Sequence, residues 1–337
     1  MSDSIASKTS ILIIGLGSIG ERHLRCFQET GLVTVAACER NADLGQSVAS
    51  RYGCKFYSSL EEALERGHFD AAVICTPANT HIPIAAQCVG HCLHVLIEKP
   101  LAVSLDGIGD LQQMAESSRR TIRVAYPGRA IPSLLALKAL LGEGQLGSVR
   151  HVSVVSGQNF PSLRPAYRTI YYTKHETGGG SIQDALTHHF HTIEWLVGPI
   201  DRVFASAAHQ VLEGVEVEDT VNMTAVLADG ALASFAFNHF QAPNETTITL
   251  NGTNGSARFE MHAQRLGLFH LGDPGWTWTE YPLEKFDQIF VQQARNFLDA
   301  IAGKDTPLAT LDDALQTLKV NRAALESART HHEVVLA

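Results

Sequence analysis

Ile11-Leu12-Ile13-Ile14-Gly15-Leu16-Gly17-Ser18-Ile19-Gly20 is the stretch that decides how this chain folds. A short β-branched run enters a glycine turn, and an amphipathic segment follows as far as Gly31. Strand, G-x-G-x-x-G, then helix is the order required of a βα unit that cradles a dinucleotide. Gly15 permits the tight turn, Gly17 lets a pyrophosphate approach the backbone, and Gly20 lets helix and strand pack closely. Ser18 and Ile19 open the helix, whose positive end receives the phosphates.

Outward from this unit the rhythm persists. Val33–Cys38 reads as a strand, and Glu39 ends it, about 20 positions beyond the glycines, where a carboxylate binds the adenosine ribose hydroxyls. That favours NAD. Arg40 beside it keeps NADP open, because a guanidinium either stacks on adenine or pairs with a 2′-phosphate. Asp43–Tyr52, Phe56, Leu60–Arg66 (opened by a capping box of Ser59 and Glu62), Ala71–Cys75, His81–Val89, His94–Ile97, Leu105–Ser118 and Ile122–Ala125 continue the alternation. Such a pattern predicts a parallel sheet covered on both faces, a Rossmann domain over residues 1–125.

After about residue 148 strands follow one another: 149–157, 201–212, 218–228, 231–239, 245–251, 256–260 and 266–271. Asp229–Gly230 carries hairpin chemistry, and Asn251–Gly252 and Asn254–Gly255 bracket a further turn. One helix, 180–197, interrupts the run, and two more, 286–302 and 311–330, close the chain. Thr310 with Asp313 opens the last of these. Residues 126–337 therefore read as a second, α+β domain with an open, mainly antiparallel sheet, carrying the substrate chemistry and the closing helices.

A chain of 337 residues suits two domains, and 45% apolar with 18% charged residues is globular composition. A net charge of −9 argues against a nucleic-acid partner. No apolar run reaches the ~20 residues of a membrane span. The polar MSDSIASKTS start is no signal peptide, so the expected location is the cytoplasm. Six cysteines, all within the first third, read as free thiols. Cys88 and Cys92, four apart on one helix, would make only the edge of a metal site.

Two motifs end the fourth and fifth strands. Thr76-Pro77-Ala78-Asn79-Thr80-His81 and Glu98-Lys99-Pro100 lie where an open parallel sheet binds ligands, beyond the carboxyl ends of its strands. Thr80 reads as a helix N-cap with His81 in the first turn. Thr76, Pro77, His81, Glu98 and Lys99 are thus candidate cofactor contacts. The Lys99 ammonium is suited to hydrogen-bond a reacting oxygen and stabilise alkoxide character during hydride transfer. The bland alternative is a solvated lysine paired with Glu98. In Gly178-Gly179-Gly180-Ser181-Ile182-Gln183-Asp184-Ala185-Leu186-Thr187-His188-His189-Phe190-His191, Asp184 and His188 are four apart and share a helical face. An imidazole suits a general base taking a hydroxyl proton, with Asp184 orienting it or holding substrate.

GLGSIG, TPANTH, EKP and GGGSIQDALTHH, in this order and spacing, are similar to the Gfo/Idh/MocA oxidoreductases, the glucose–fructose oxidoreductase and inositol dehydrogenase family. The resemblance spans nearly the whole chain, including Arg129 to Pro132, NGTNGSARFE and the closing helices. It implies hydride exchange with sugars, inositols or related polyols, and an outer sheet face that makes a homodimer or homotetramer interface. It maps the family's catalytic lysine, aspartate and histidine to Lys99, Asp184 and His188. The chain departs from many relatives in having His191 where they carry a second carboxylate and Leu186 where they carry a small residue. Asp184, His188 and His191 on one face also raise a metal reading, set aside because ligands normally converge from several elements and the family's dehydrogenases need no metal.

The segment 158–177 is rich in arginine and tyrosine and directly precedes the catalytic helix. Arg164, Tyr167, Arg168, Tyr171, Tyr172 and Lys174 suit a carboxylate, phosphate or sugar ring; an oligomer contact or a solvated loop suits them equally. Arg129 and His191 join the substrate candidates. Trp195 reads as core, Trp276 and Trp278 as an interface patch, and His239 as a satisfied surface histidine. The leading expectation is an NAD(P)-dependent dehydrogenase. Two others stand beside it: a glycosidase with tightly bound NAD working by transient oxidation and elimination, and a non-enzymatic cofactor-binding sensor.

Overall fold

The computed structural model describes residues 8–336. The reading of the extreme N-terminus lies, for residues 1–7, outside them. In chain order the first elements are β1 (Thr9–Ile14), α1 (Ser18–Glu29), β2 (Val33–Cys38), α2 (Ala42–Tyr52), β3 (Lys55–Tyr57), α3 (Leu60–Arg66), β4 (Ala71–Ile74), α4 (His81–Gly90), β5 (His94–Glu98), α5 (Ile108–Ser118) and β6 (Ile122–Ala125). All neighbouring strands pair in parallel, in the order β3-β2-β1-β4-β5-β6. Ile11, Leu12 and Ile13 are fully buried, because a strand sandwiched between helix layers needs apolar residues on both sides.

There follow α6 (Pro132–Gly142), β7 (Val149–Asn159), the one-turn α7 (Phe160–Leu163), a π-helical turn Ile182–Leu186 and α8 (Thr187–Leu196). Next come β8 (Ile200–Ala208), β9 (Thr220–Leu227), β10 (Leu232–Asn238), β11 (Phe240–Gly252), β12 (Gly255–Glu260), β13 (Arg265–His270) and β14 (Thr277–Glu280). The chain closes with α9 (Asp287–Ile301), α10 (Leu311–Thr330) and β15 (Val334–Val335). The second sheet runs β14-β13-β12-β11-β7-β10-β9-β8-β15 and is antiparallel except where β7 meets β10. Its strands alternate: Val154, Ala205 and Phe235 are buried while Val155, Phe204 and Leu232 stay exposed. That exposed face is the one on which the resemblance expects subunit contact.

Two compact units result, one running through Pro127 and completed by Lys285–Leu311, the other spanning Gly128–Glu284 and resuming at Asp312. The sequence division placed both closing helices in the second domain; α9 instead packs on α1. Asp287 takes Arg22 Nε at 3.1 Å and Arg25 Nε at 2.7 Å, and Phe297 meets Phe27 edge-on at 6.3 Å. The outward apolar stripe of α1 needs a cover, and α9 supplies it. In the second unit α10 is fixed by Asn321 to Thr187 (3.0 Å) and by Ser327, which accepts from the Ala205 amide (2.9 Å). Among the described residues no helix is long and apolar enough to cross a membrane.

Candidate active site

At the carboxyl end of β1 the glycine loop meets its steric requirements. Gly15 has φ +85°, and a Cβ there would lie 3.0 Å from the Cys75 carbonyl. A Cβ on Gly20 would lie 1.8 Å from the Gly15 oxygen. One on Gly17 would meet nothing within 4 Å, so the backbone there borders open space. Gly17 caps α1, and no described side chain caps it, leaving the first-turn amides of Ser18 and Ile19 for an anion. Glu39 ties the loop to α2: its carboxylate accepts the Leu16 amide at 2.7 Å and the Asn41 amide at 2.9 Å. Each oxygen retains acceptor capacity for a ribose hydroxyl. Arg40 alongside is exposed. These residues fit a dinucleotide, which would supply the hydride acceptor or donor.

The ends of β4 and β5 are braced by two buried histidines. His23, on α1, places Nε2 2.6 Å from Glu98 Oε1, and Glu98 Oε2 accepts the Lys99 amide at 3.0 Å. His81 lies with Nδ1 3.0 Å from the Pro100 oxygen and Nε2 2.8 Å from the Thr76 oxygen. Burial holds the His81 pKa down, and a neutral ring donates to one of those carbonyls at a time. Expected as cofactor contacts, the His81 ring and the Glu98 carboxylate turn inward and fix the turn that carries half-buried Lys99. Thr80 precedes α4 but makes no cap; its hydroxyl lies 2.7 Å from both Thr76 Oγ1 and the Pro77 oxygen, and its single proton serves one of them. Thr76 and Pro77 themselves remain accessible at the strand end.

In the second unit Asp184 lies in the π-helical turn and His188 in the first turn of α8. Extra-wide turns of this kind recur at functional sites. Glu218 holds the turn's start: its Oε1 accepts the Ile182 amide at 2.8 Å, and its backbone oxygen accepts both the amide and hydroxyl of Ser181 at 3.0 Å. Asp184 is buried and accepts the Tyr171 hydroxyl at 2.7 Å. His188 is half-buried, and its carbonyl accepts Thr192 Oγ1. His189 packs beside Phe237, and desolvation holds its pKa down at about 4.

The helix's other side carries a buried polar chain. Arg129 donates to His191 Nε2 at 2.8 Å and pairs with Asp313 at 3.1 Å, while His191 Nδ1 meets Thr317 Oγ1 at 3.0 Å. Burial first, then the Arg129 charge, keeps the His191 pKa low. The substrate candidates Arg129 and His191 are thereby engaged internally. Thr317 also donates to Glu194 at 2.8 Å, and burial pushes the Glu194 carboxyl up to about 7. Its folded pKa exceeds its unfolded one, so ionising it costs stability as pH rises from about 4.5 through about 7. The cost is on the order of 3 kcal/mol. Glu194→Gln should therefore raise the Tm more at pH 8 than at pH 5; an equal change at both would refute this.

The 158–177 segment divides. Tyr167 and Tyr172 enter a small core with Phe160, Leu212, Val215 and Val217. Arg168 stays exposed and pairs with Glu213 at 3.1 Å. Arg164 caps α7, half-buried. His239 is completely buried, contrary to the surface reading, because Tyr172 and Ser181 hydroxyls meet its Nδ1 (2.7 and 3.1 Å) while Phe160 stacks on its ring. Trp195 is not core either. It is half-buried, with the Arg129 and Lys138 cations 5.4 and 5.9 Å from its ring. Trp276 and Trp278 lie 5.8 Å apart, covered by Arg258 and Arg265. Among the described residues no group of three or more His, Cys, Asp or Glu side chains converges for a metal.

Two models of one family match the chain: an oxidoreductase family with an NAD-binding Rossmann fold over residues 9–126, and its C-terminal domain over residues 134–258. The chain belongs to the Gfo/Idh/MocA oxidoreductases. A rhizopine catabolism protein MocA of Rhizobium meliloti is 26% identical, over 93% of each chain. An inositol 2-dehydrogenase of the same species is 21% identical, over 96% of this chain and 98% of that one. A levoglucosan dehydrogenase solved with NADH and levoglucosan superposes with a TM-score of 0.88 at 20% identity, covering 98% of this chain and all of the other. At that identity the likeness is one of fold. Three features of this Gfo/Idh/MocA chain escape sequence reasoning: the His23–Glu98 brace, the Glu218 anchor, and the bond from Tyr171 to Asp184. The sequence reading covers Glu218 only as the first residue of the strand 218–228.

Proposed function

We propose that this oxidoreductase exchanges a hydride between NAD and a hydroxyl-bearing carbon of a sugar, inositol or related cyclic polyol. The observation that carries the reading is the braced Glu98-Lys99-Pro100 turn at the end of β5, in the same unit as the glycine cradle and Glu39. Relatives named for inositol and levoglucosan supply the substrate class. In the oxidative direction His188 takes the hydroxyl proton as base, Lys99 hydrogen-bonds the oxygen as it gains alkoxide character, and Asp184 fixes the arrangement. Glu39 receives the adenosine ribose, which favours NAD over NADP.

The test is incubation with NAD or NADP and a panel of sugars, inositols and uronates, followed by absorbance of reduced nicotinamide. One compound class should give signal, and His188→Ala should lower kcat by about 10²–10⁴-fold. Silence across the panel with NAD shown to bind would overturn the dehydrogenase and favour a cofactor-retaining glycosidase.

A further inference from the structure

We propose that Tyr171 is a positioning residue of the reaction, its phenol fixing the rotation of the Asp184 carboxylate; this rests on the reading that Asp184 serves the reaction centre. The hydroxyl donates to Asp184 Oδ1 at 2.7 Å, reaching from a partly exposed residue to a buried acid. A charge-assisted hydrogen bond of this length is among the stronger ones available to a side chain. An isolated tyrosine on a loose loop would not hold such geometry.

The loop is not loose. On one side of Tyr171, Tyr172 is completely buried, bonded to His239 and in contact with Phe160 at 4.4 Å between ring centres. Downstream, His175 Nε2 lies 2.6 Å from Glu218 Oε2, the same carboxylate whose other oxygen accepts the Ile182 amide. Gln183, next to Asp184, donates its side-chain amide to the His175 oxygen at 3.0 Å. Thr177 Oγ1 closes back onto the Tyr171 oxygen. Residues 171–177 and the turn 182–186 are therefore one cross-linked body, and Glu218 is its shared anchor. Within it Tyr171 presents its hydroxyl to the acid while its backbone is held from both sides. Of the segment's aromatic residues, Tyr167 and Tyr172 serve the small core and Tyr171 serves the acid.

Tyr171→Phe removes one oxygen and leaves that framework intact. With the panel compound giving the strongest NADH signal, it should lower kcat about 10–100-fold, the effect of about 1.4–2.7 kcal/mol lost at the barrier. KM for NAD should stay unchanged, and the Tm should fall by no more than a few degrees, the effect of one buried hydrogen bond. In an Asp184→Asn background it should cost little more, since the two act through one bond. A readout that needs no substrate is the ¹³C titration of carboxyl side chains, where losing a donor to the charged form should move the Asp184 midpoint up. Wild-type kcat and an unmoved midpoint in Tyr171→Phe would overturn the proposal while Asp184→Asn remains inactive. Wild-type kcat in Asp184→Asn would instead sink the reading of the site. If no panel compound reacts, the titration alone decides whether Tyr171 holds Asp184.

Discussion

Lys99→Ala should lower kcat by about 10²–10⁴-fold while changing NAD affinity by less than about threefold. The side chain is half-buried at the carboxyl end of β5, and its backbone amide is held by Glu98, which His23 holds in turn. Pro100 is gripped from the far side by His81. None of those braces uses the lysine ammonium, so the alanine variant keeps all of them while losing the ammonium donor. The cradle for the pyrophosphate is formed by other residues, Gly15 to Gly20. Binding and chemistry should therefore separate, by NADH fluorescence titration on one hand and steady-state turnover on the other. An equal loss of both would remove Lys99 from the chemistry and make it part of the cofactor cradle.

Gly20→Ala should abolish NAD binding and lower the Tm together. Its methyl would lie 1.8 Å from the Gly15 oxygen and 3.3 Å from the Cys75 Cβ, and the nearest of these is backbone that cannot rotate away. Overpacking ordinarily costs about 1–3 kcal/mol, and a backbone clash of this size belongs above that range. Three kcal/mol at the cradle corresponds to more than about a hundredfold in Kd. Gly17→Ala is the informative contrast. Its methyl meets no protein atom within 4 Å, so the protein's own Tm should hold while NAD affinity falls. If Gly17→Ala left affinity untouched, the phosphates would not pass over that position. The pair thus distinguishes a glycine required by the fold from one required by the ligand.

What was legible in the sequence follows the range of the interaction concerned. The glycine loop, Glu39 and the capping serine Ser59 are local, and each lies where its neighbours predict; Ser59 accepts the Glu62 amide at 3.1 Å. Glu62 departs slightly, returning to Ser58 (amide 3.2 Å, hydroxyl 2.9 Å) rather than to Ser59. The Asp229–Gly230 hairpin joins β9 to β10 as its dipeptide requires. α6 escaped notice because PSLLALKALLG is apolar on most sides and shows little period. β14 is short, at four residues, and of the two neighbouring tryptophans only Trp278 lies in it. The site's supporting bonds were beyond reach for a different reason. His23 and Glu98 are 75 residues apart, and Thr317 and Glu194 are 123 apart, so no local pattern joins them. The candidate reacting residues were legible as motifs; the side chains that hold them were not.

The position of α9 has a consequence for how the chain is made. A ribosome delivers residues in order, and N-terminal domains generally fold as soon as they emerge. Here the first unit is incomplete at Pro127, because Lys285–Leu311 belongs to it. Until α9 leaves the exit tunnel, the Phe27 side of α1 lacks Phe297 and the Arg22–Arg25 pair lacks Asp287. The second unit's whole sheet through β14 is synthesised during that wait. The nascent Rossmann unit, although translated first, therefore stays incomplete until that sheet has been made, and a gene cut after codon 127 encodes a fragment with its apolar α1 stripe bare.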